Sequence, residues 1–296
     1  MQYLIDASVY IFRAYYSMPE DMVDAEGNPV NALYGFCRFL GDFMEQVNPE
    51  YVAVLFDESQ SASYRVEIYP QYKANRDPAP PDLIRQFGQC RRFARALGVL
   101  EWGSPRYEAD DLIGTLVHHG RTQNRASTIV TRDKDLAQLI SVDDIFWDFA
   151  GKGKIAYEQV PGVFGVRPEQ IADFLALAGD AVDNIKGVPG VGKKTATVLL
   201  ENFGSLDGIY DNLGRVHEIN VRGAKTLGDK LEKHREDAVL ARKLTGILCD
   251  APIDDAEVAM QRSAPKLGDI NALFDEANIG TALRRQAERI ADLSRD

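Results

Sequence analysis

Acidic residues recur in five groups along the chain, and their spacing is the feature of the sequence with the clearest chemical potential. Two groups are single aspartates that follow short apolar runs, and the other three are pairs or triplets of acids. The nine acids are Asp6, Asp57, Glu108, Asp110, Asp111, Asp133, Asp135, Asp180 and Asp183. Taken singly, each is typical of a helix cap, a turn or a solvated surface, because carboxylates favour helix N-termini. Gathered in one cleft, they would repel one another strongly unless cations neutralised them.

Hard divalent cations are the ions that such a group of carboxylates would bind. Mg²⁺ and Mn²⁺ prefer oxygen donors. The three cysteines and four histidines show no zinc-binding or disulfide pattern; they are Cys37, Cys90, Cys249, His118, His119, His217 and His234. Two divalent ions about 4 Å apart support in-line attack of water on a phosphodiester. The residues alone therefore predict phosphodiester hydrolysis with two Mg²⁺ or Mn²⁺ ions.

The elements that must position these acids are predicted to be buried parallel strands. Apolar, β-rich runs end on an acid at three places: Tyr3–Ile5 before Asp6, Tyr51–Phe56 before Asp57, and Ser127–Thr131 before Asp133. Helical spacing separates these runs, which indicates an α/β sheet with a parallel core. In such sheets ligands gather beyond the carboxyl ends of the strands, where these acids fall.

The chain changes character after a predicted β-hairpin. The hairpin joins 145–147 to 155–157 through the turn Gly151-Lys152-Gly153-Lys154, and the chain beyond it is helical. We therefore predict an α/β catalytic domain over 1–165 and an all-helical domain over 166–296. The proline-rich stretch 77–82 is predicted to cap a helix that begins near Leu83.

The net charge of −11 by itself argues against a nucleic-acid partner, but the charges are unevenly distributed along the chain. Between Ser61 and Arg95 there are seven basic and three acidic residues, and between Asn184 and Lys243 there are eleven and eight. These two stretches predict local attraction to phosphate. The N-terminus lacks a basic signal-like region, and no apolar run is long enough to span a bilayer, so the sequence predicts a cytoplasmic protein without a membrane segment.

The order and spacing of these motifs resemble the bacterial and phage 5′-nucleases of the flap endonuclease family, most closely the 5′-nuclease domain of bacterial DNA polymerase I and its stand-alone paralogues. The matching segments are Ile5-Asp6-Ala7-Ser8, Phe56-Asp57, 69–76, 108–111, 131–136, 179–184 and 187–196. Two residues depart from the family pattern: Glu58 replaces a usual glycine, and Lys186 stands where proline is common.

The resemblance implies a PIN-like α/β fold and a division of the acids between two metals. One ion would be held by residues matching Asp6, Asp57, Glu108 and Asp110. The other would be held by those matching Asp111, Asp133, Asp135 and Asp183, with Asp180 as a ligand or outer-shell acid. It also implies a helical arch over about 64–95, with Lys73 and Arg76 steering the scissile phosphate and Tyr72 stacking on a base. Arg13 is a weaker candidate for phosphate contact.

The segment after Asp183 carries a helix-hairpin-helix signature. Glycines allow a phosphate to approach the backbone, and the N-terminus of the following helix offers unpaired N–H groups. The predicted DNA-binding residues are Gly187, Val188, Gly190, Val191, Gly192, Lys193, Lys194 and Thr195. Such contacts recognise the backbone, so binding should follow DNA shape. The family resemblance also implies that this turn is a candidate K⁺-binding site.

The function predicted from the sequence is that of a 5′-3′ exonuclease and flap endonuclease of replication and repair. The predicted partners are DNA with 5′ flaps, nicks, gaps or free 5′ ends, and RNA-primed DNA, bound by a monomer. Two alternatives stay open at this point: a non-catalytic protein that binds branched DNA, and a PIN-type ribonuclease. The complete set of acids disfavours the first, and the hairpin with the arch stretch disfavours the second.

Overall fold

A mixed six-stranded sheet forms the centre of the first half of the chain. The structure is a computed structural model that describes residues 1–58, 62–149, 151, 153–253 and 260–294. The strands are β1 (Gln2–Asp6), β2 (Val52–Asp57), β3 (Leu100–Ser104), β4 (Ser127–Val130), β5 (Ile145–Asp148) and β6 (Gly153–Ala156), in the order β3-β2-β1-β4-β5-β6. All neighbours pair in parallel except β5 and β6. The predicted parallel core and hairpin are confirmed, although Lys152 of the hairpin turn lies outside the described residues.

The register of the central strands brings the strand-end acids to one edge of the sheet. Asp6 is the last residue of β1 and pairs with Leu55 of β2, two residues before Asp57 ends that strand. On the other side, Ile5 of β1 pairs with Val130, the last residue of β4. Because the three strands are parallel, Asp6, Asp57 and the residues after Val130 all emerge at the same edge.

Helices cover both faces of the sheet and, with turns and loops between them, continue through the second half of the described chain. The helices are α1 (Ala7–Ser17), α2 (Asn31–Val47), α3 (Tyr64–Ile68), α4 (Pro81–Ala96), α5 (Ala109–Thr122), α6 (Val160–Phe164), α7 (Ile171–Ala178), α8 (Lys193–Phe203), α9 (Leu206–Asp211), α10 (Ala224–Lys233), α11 (Arg235–Thr245), α12 (Leu267–Glu276) and α13 (Thr281–Leu293). Among the described residues, no helix combines the length and apolarity needed to cross a membrane.

Successive residues of β1 point into two different hydrophobic clusters, as the alternation of a strand requires. Leu4 belongs to a cluster that continues through α5 into α7, α8 and α11. Ile5 belongs to a second cluster, built by α1, α2, α4, α12 and α13. The sheet therefore lies between two layers of helices, one of which is continuous with the second half of the chain.

The last two helices return to the first half of the chain. Helix α12 packs on α4, and α13 packs on α2. Phe274 is fully buried, and its ring stacks on Phe93 with centroids 5.7 Å apart. The last two helices therefore share a hydrophobic core with α2 and α4.

The segment between α3 and α4 is not helical. Residues 70–75 form consecutive turns, and Lys73 adopts a left-handed conformation with φ of 54°. The helical arch that the resemblance implies over about 64–95 is therefore interrupted between α3 and α4, where Tyr72 and Lys73 lie in turns. Pro70 fixes its own φ and removes an N–H group, and the left-handed Lys73 is incompatible with a continuous helix. Helix α4 begins at Pro81, close to the predicted start near Leu83.

Candidate active site

The acids that end β1 and β2 are held by two hydroxyl groups and one backbone amide. Thr131 donates from Oγ1 to Asp6 Oδ2 at 2.9 Å, and Ser8 donates from Oγ to Asp57 Oδ2 at 2.7 Å. Oδ1 of Asp57 accepts from the N–H of Ala109 at 2.9 Å. Because Ala109 opens α5, these bonds join the ends of the central strands to the start of that helix.

Burial and mutual repulsion perturb the acids at this edge. Burial, together with the charges of Asp57 and Asp133, raises the pKa of Asp6 to about 7. Burial also raises the pKa of Asp110 well above its usual range, and the charges of the other three carboxylates add to the rise. These four acids are therefore close enough to destabilise one another's ionised forms.

Glu108 and Asp183 share two partners from the turn segment that follows α3. Tyr72 donates from Oη to Glu108 Oε2 at 3.1 Å and lies 3.2 Å from Asp183 Oδ2. The ammonium of Lys73 donates to the same Glu108 oxygen at 2.8 Å and lies 3.9 Å from Asp183 Oδ2. Burial alone would raise the pKa of Glu108, but the charges of Lys73 and a neighbouring arginine outweigh it and lower that pKa.

Lys134 lies between two further acids. Its Nζ is 3.3 Å from Asp135 Oδ1 and 3.3 Å from Asp180 Oδ2. Burial and the charge of Asp133 raise the pKa of Asp135 to about 7 despite the nearby ammonium. A small cavity of about 20 Å³ is bordered by five of the predicted acids, namely Glu108, Asp110, Asp135, Asp180 and Asp183.

Eight of the nine predicted acids thus form one group, which we call the acid cluster. Its members are Asp6, Asp57, Glu108, Asp110, Asp133, Asp135, Asp180 and Asp183. Asp111 is the exception: it is fully buried and is not among the residues that border the small cavity. Its two carboxylate oxygens accept from the guanidinium of Arg65 at 2.7 and 2.8 Å. Nη1 of Arg65, which binds Asp111 Oδ2, also lies 3.8 Å from Glu108 Oε2, so a guanidinium stands between the carboxylates of Asp111 and Glu108.

The sequence predicts that these acids surround bound divalent cations. Two features of the structure bear on this prediction. In the described ranges, no group of three or more His, Cys, Asp or Glu side chains is arranged so that it could hold a metal ion. Protein cations lie against the acids instead: Lys73 on Glu108, Arg76 on Asp183, and Lys134 on Asp180. Two oxygens of the acid cluster, Glu108 Oε1 and Asp135 Oδ1, are buried with no hydrogen-bond partner among the described residues, although Lys134 Nζ lies 3.3 Å from the second. An oxygen donor of this kind, beside acids with raised pKa values, fits a hard divalent cation.

The predicted hairpin lies between α7 and α8. Gly179 ends α7 with φ of 80°, and Gly190 has φ of 84° in the turn itself. A Cβ at Gly187 would lie 2.3 Å from the backbone nitrogen of Gly179, so the two chain segments approach too closely for any side chain there. Val188 and Val191 are buried and anchor the turn.

The start of α8 leaves polar groups available to a ligand. Gly192 is its N-cap and supplies no side-chain hydrogen bond to the first turn. Lys193 and Lys194 are exposed, and neither has an ion-pair partner within the described ranges. A cavity of about 790 Å³ reaches from Asp135 and Asp180 of the acid cluster to Lys193. The start of α8 and two members of the acid cluster therefore border the same cavity.

Comparison with known proteins connects this geometry to a family. The family described as 5′-3′ exonuclease, N-terminal resolvase-like domain, matches residues 1–161. The family described as 5′-3′ exonuclease, C-terminal SAM fold, matches residues 166–267.

The chain belongs to the 5′-3′ exonuclease family.

Curated relatives agree with this membership. A DNA polymerase I of Pseudomonas aeruginosa is 38% identical over 274 residues, covering 92% of this chain and 30% of the polymerase. A 5′-3′ exonuclease of Buchnera aphidicola is 32% identical over 252 residues, covering 85% of this chain and 87% of that protein. The chain thus spans less than a third of the polymerase and most of the exonuclease. Family, fold and nuclease class are as predicted from the sequence.

Solved structures share the fold at low sequence identity. A structure described as divalent metal ions (zinc) bound to T5 5′-exonuclease matches with a TM-score of 0.68 and 17% identity, covering 99% of both chains. The catalytic core of Rad2 in complex with DNA substrate matches with a TM-score of 0.64 and 16% identity, covering 98% of this chain and 90% of the chain in that structure.

The residues that were predicted to handle phosphate in this member of the 5′-3′ exonuclease family differ in their surroundings. Tyr72, which was predicted to stack on a DNA base, is only 4% exposed. Lys73 and Arg76, which were predicted to steer the scissile phosphate, lie at the acid cluster, each paired with an acid. Arg13 is exposed on α1. Glu58, which stands where the family usually has glycine, forms an ion pair with Arg91; Oε1 of Glu58 lies 2.6 Å from Nη1 of Arg91.

The basic stretch around α4 is neutralised within the protein. All seven of its basic residues lie within ion-pair distance of a carboxylate: Arg65, Lys73, Arg76, Arg85, Arg91, Arg92 and Arg95. The acids come from distant parts of the sequence, such as Asp24 and Glu276. The local excess of positive charge in the sequence therefore does not become a free basic surface.

Sequence reasoning missed four residues that hold the site together. Ser8 and Thr131 fix strand-end acids, Lys134 links two acids, and Arg65 binds Asp111. A signal for Ser8 and Thr131 was available, because each lies two residues from an acid at a strand end. Nothing local in the sequence indicates that Arg65 is buried.

Proposed function

We propose that this chain is a metal-dependent 5′-nuclease that hydrolyses DNA phosphodiester bonds with two divalent cations. The observation that carries the proposal is the acid cluster itself. Its eight carboxylates gather at the carboxyl edge of a parallel sheet, the pKa values of Asp6 and Asp135 are raised to about 7, and Glu108 Oε1 is buried without a partner. Bound cations would neutralise this repulsion, and the solved structure of T5 5′-exonuclease with divalent ions supports the same assignment.

The members of the acid cluster divide between two candidate metal positions. Asp6, Asp57, Glu108 and Asp110 would hold one ion, and Asp133, Asp135 and Asp183 the other, with Asp180 beside them. When bound, such ions activate water and stabilise the charge that develops on the phosphate. Mg²⁺ and Mn²⁺ suit a set of oxygen donors better than softer metals do.

The basic side chains now resting on the acids would turn to the substrate. Lys73 and Arg76 neutralise Glu108 and Asp183, so cations arriving at these acids would release both side chains for the scissile phosphate. Tyr72 would remain in place, because it is buried and hydrogen-bonds both acids. Its role is to position Glu108 and Asp183.

The hairpin supplies a second contact with DNA. The free N-terminus of α8, with Lys193 and Lys194, suits a backbone phosphate, and the cavity from there to Asp135 suits a strand leading to the acids. The proposed substrates are DNA with 5′ flaps, nicks, gaps or free 5′ ends, including RNA-primed DNA. The Rad2 core bound to DNA substrate has the same fold, which agrees with DNA as the partner.

Cleavage assays with matched substrates test this function. Duplexes of one sequence would carry a 5′ flap, a nick, a gap, a free 5′ end or a 5′ RNA segment, each labelled at the 5′ end. We expect release of short labelled products with Mg²⁺ or Mn²⁺ and none with EDTA. Binding to flap DNA without cleavage under any metal condition would instead identify a non-catalytic branched-DNA protein. Cleavage confined to RNA would favour a ribonuclease.

A further inference from the structure

Arg65 is a buried cation that joins three parts of the chain. It lies in α3 with only 3% of its side chain exposed. Its Nη1 and Nη2 bind both oxygens of Asp111, its Nε donates to the carbonyl of Leu244 at 2.9 Å, and Nη2 also donates to the carbonyl of Gly246 at 2.9 Å. Four hydrogen bonds to a carboxylate and two carbonyls make this guanidinium a fixed structural group.

Asp111 completes the link from the other side. Its Oδ1 accepts from the N–H of Leu248 at 3.0 Å, and its Oδ2 accepts from the N–H of Glu108 at 3.2 Å. Glu108 is the N-cap of α5, and its side chain belongs to the acid cluster, where it accepts a hydrogen bond from Lys73. The ion pair therefore holds the backbone of one candidate metal ligand and the segment that follows α11.

We propose that Arg65 and Asp111 form an internal ion pair that positions Glu108, and that Asp111 is not a metal ligand. This inference rests on the proposed metal-dependent function. It replaces the ligand role that the sequence motif implies for Asp111. Arg65 and Asp111 are positioning residues. Both oxygens of Asp111 are occupied by Arg65 and by backbone N–H groups. Arg65 borders the small cavity and lies 3.8 Å from Glu108 Oε2, but its hydrogen bonds go to Asp111 and to the carbonyls of Leu244 and Gly246.

The physics of buried ion pairs separates the two roles. Removing one partner leaves an uncompensated buried charge, whereas removing both often restores stability. A metal ligand behaves differently, because its loss is not corrected by removing a neighbouring arginine. The two roles therefore predict opposite results for the double variant.

A double-variant cycle uses the full chain with Arg65→Gln, Asp111→Asn and both together. Each single variant should lower Tm by about 10 °C, the size expected when a buried pair is broken in a protein of this length. The double variant should recover at least half of that loss. Additive losses in Tm would overturn the ion-pair assignment.

Binding of Mn²⁺, measured by titration, supplies a readout that structural damage alone would not produce. Asp111→Asn should weaken Mn²⁺ binding about tenfold, because it leaves the Arg65 guanidinium unpaired 3.8 Å from Glu108 Oε2, where it would draw that carboxylate away from the ion. Adding Arg65→Gln should return the affinity to within about threefold of the unmodified protein. If the double variant binds Mn²⁺ as weakly as Asp111→Asn does, Asp111 is a ligand and the proposal fails.

Asp110→Asn is the matched control, one residue earlier in the same helical turn. Asp110 interacts with Asp6, Asp57 and Asp133, so its loss should weaken Mn²⁺ binding, and Arg65→Gln should not restore it. Rescue of Asp110→Asn by Arg65→Gln would contradict the proposal, because it would show that removing Arg65 acts nonspecifically.

Arg65→Lys covers the case in which a glutamine or asparagine variant fails to fold. Lysine keeps the charge but lacks the planar fork, so it cannot bind both oxygens of Asp111 and the two carbonyls together. We expect faster hydrogen exchange at the amide of Leu248, and unchanged exchange there would overturn the proposal. A wild-type protein that cleaves no DNA would refute the proposed function, whereas the Tm cycle and the exchange measurement would still test the ion pair.

Discussion

Single carboxyl groups in the acid cluster make the metal-free protein sensitive to pH. Asp6 and Asp135 have pKa values raised to about 7, against ordinary values near 4. The folded protein therefore binds protons more tightly than the unfolded chain between these limits, so the free energy of unfolding falls as pH rises from about 4 to about 7. The cost of ionisation is fully present above the raised pKa values.

Divalent cations should remove this cost at neutral pH. We predict that Mg²⁺ raises Tm strongly at pH 8, where the acids are ionised, and only slightly at pH 5, where protons already neutralise them. Thermal melts with EDTA or excess Mg²⁺ at both pH values measure the difference. Equal shifts at pH 5 and pH 8 would show that these acids do not share a metal site.

Loss of one ligand should separate catalysis from binding. We predict that Asp133→Asn or Asp183→Asn lowers the cleavage rate by several orders of magnitude, because each disturbs one candidate metal position. Affinity for flap DNA should change little, since the lysines at the hairpin are untouched. Asp143→Asn, at an exposed acid outside the cluster, is the control and should cleave normally. Full activity of the ligand variants in Mg²⁺ would contradict the assignment.

At the scale of elements, the turn segment and the hairpin are predicted to make different contributions to DNA handling. The turn segment places Lys73 at Glu108, whereas the start of α8 presents Lys193 and Lys194 to solvent. Lys73→Ala should therefore lower kcat more than affinity. Lys193→Ala combined with Lys194→Ala should weaken binding and reduce the salt dependence by up to about two phosphate contacts. Titrations over a range of salt concentrations measure this, and an unchanged slope would exclude the hairpin as a phosphate site.

The hairpin also depends on the close approach of its two ends. Any Cβ at Gly187 would collide with the backbone around Gly179, so Gly187→Ala must displace the turn and should lower both Tm and DNA affinity. Gly268→Ala is the matched control, because that glycine lies in α12 with open space where a Cβ would be. The control should be neutral or stabilise by about 0.5 kcal/mol. Equal Tm values for the two variants would contradict this account.

At the scale of the molecule, the return of α12 and α13 makes the two halves of the chain interdependent. Phe274 is fully buried against Phe93 of α4, so Phe274→Ala should cost about 3–5 kcal/mol although it lies near the end of the chain. Denaturant unfolding followed by two probes should show one shared transition at lower concentration. A separate early transition that leaves the α/β half intact would show that α12 and α13 are independent of it.

The sequence by itself determined the class of fold and the main chemical groups. Runs that end on Asp6 and Asp57 became parallel strands at the centre of the sheet, because continuous apolar runs are stable only when both faces are covered. The hairpin after Gly179 and the start of α8 at Lys193 were also predictable, because glycine and lysine act there through local backbone geometry and local charge.

Only the tertiary structure decided which charged groups meet. Asp111 and Asp110 are neighbours in the sequence, yet one binds Arg65 in the interior and the other interacts with the strand-end acids. The basic stretch around α4 is positive in the sequence, but acids as distant as Glu276 neutralise it in the fold. Periodicity and spacing report which face of an element is apolar. They do not report which charge from another element lies opposite, because that depends on how separate elements pack.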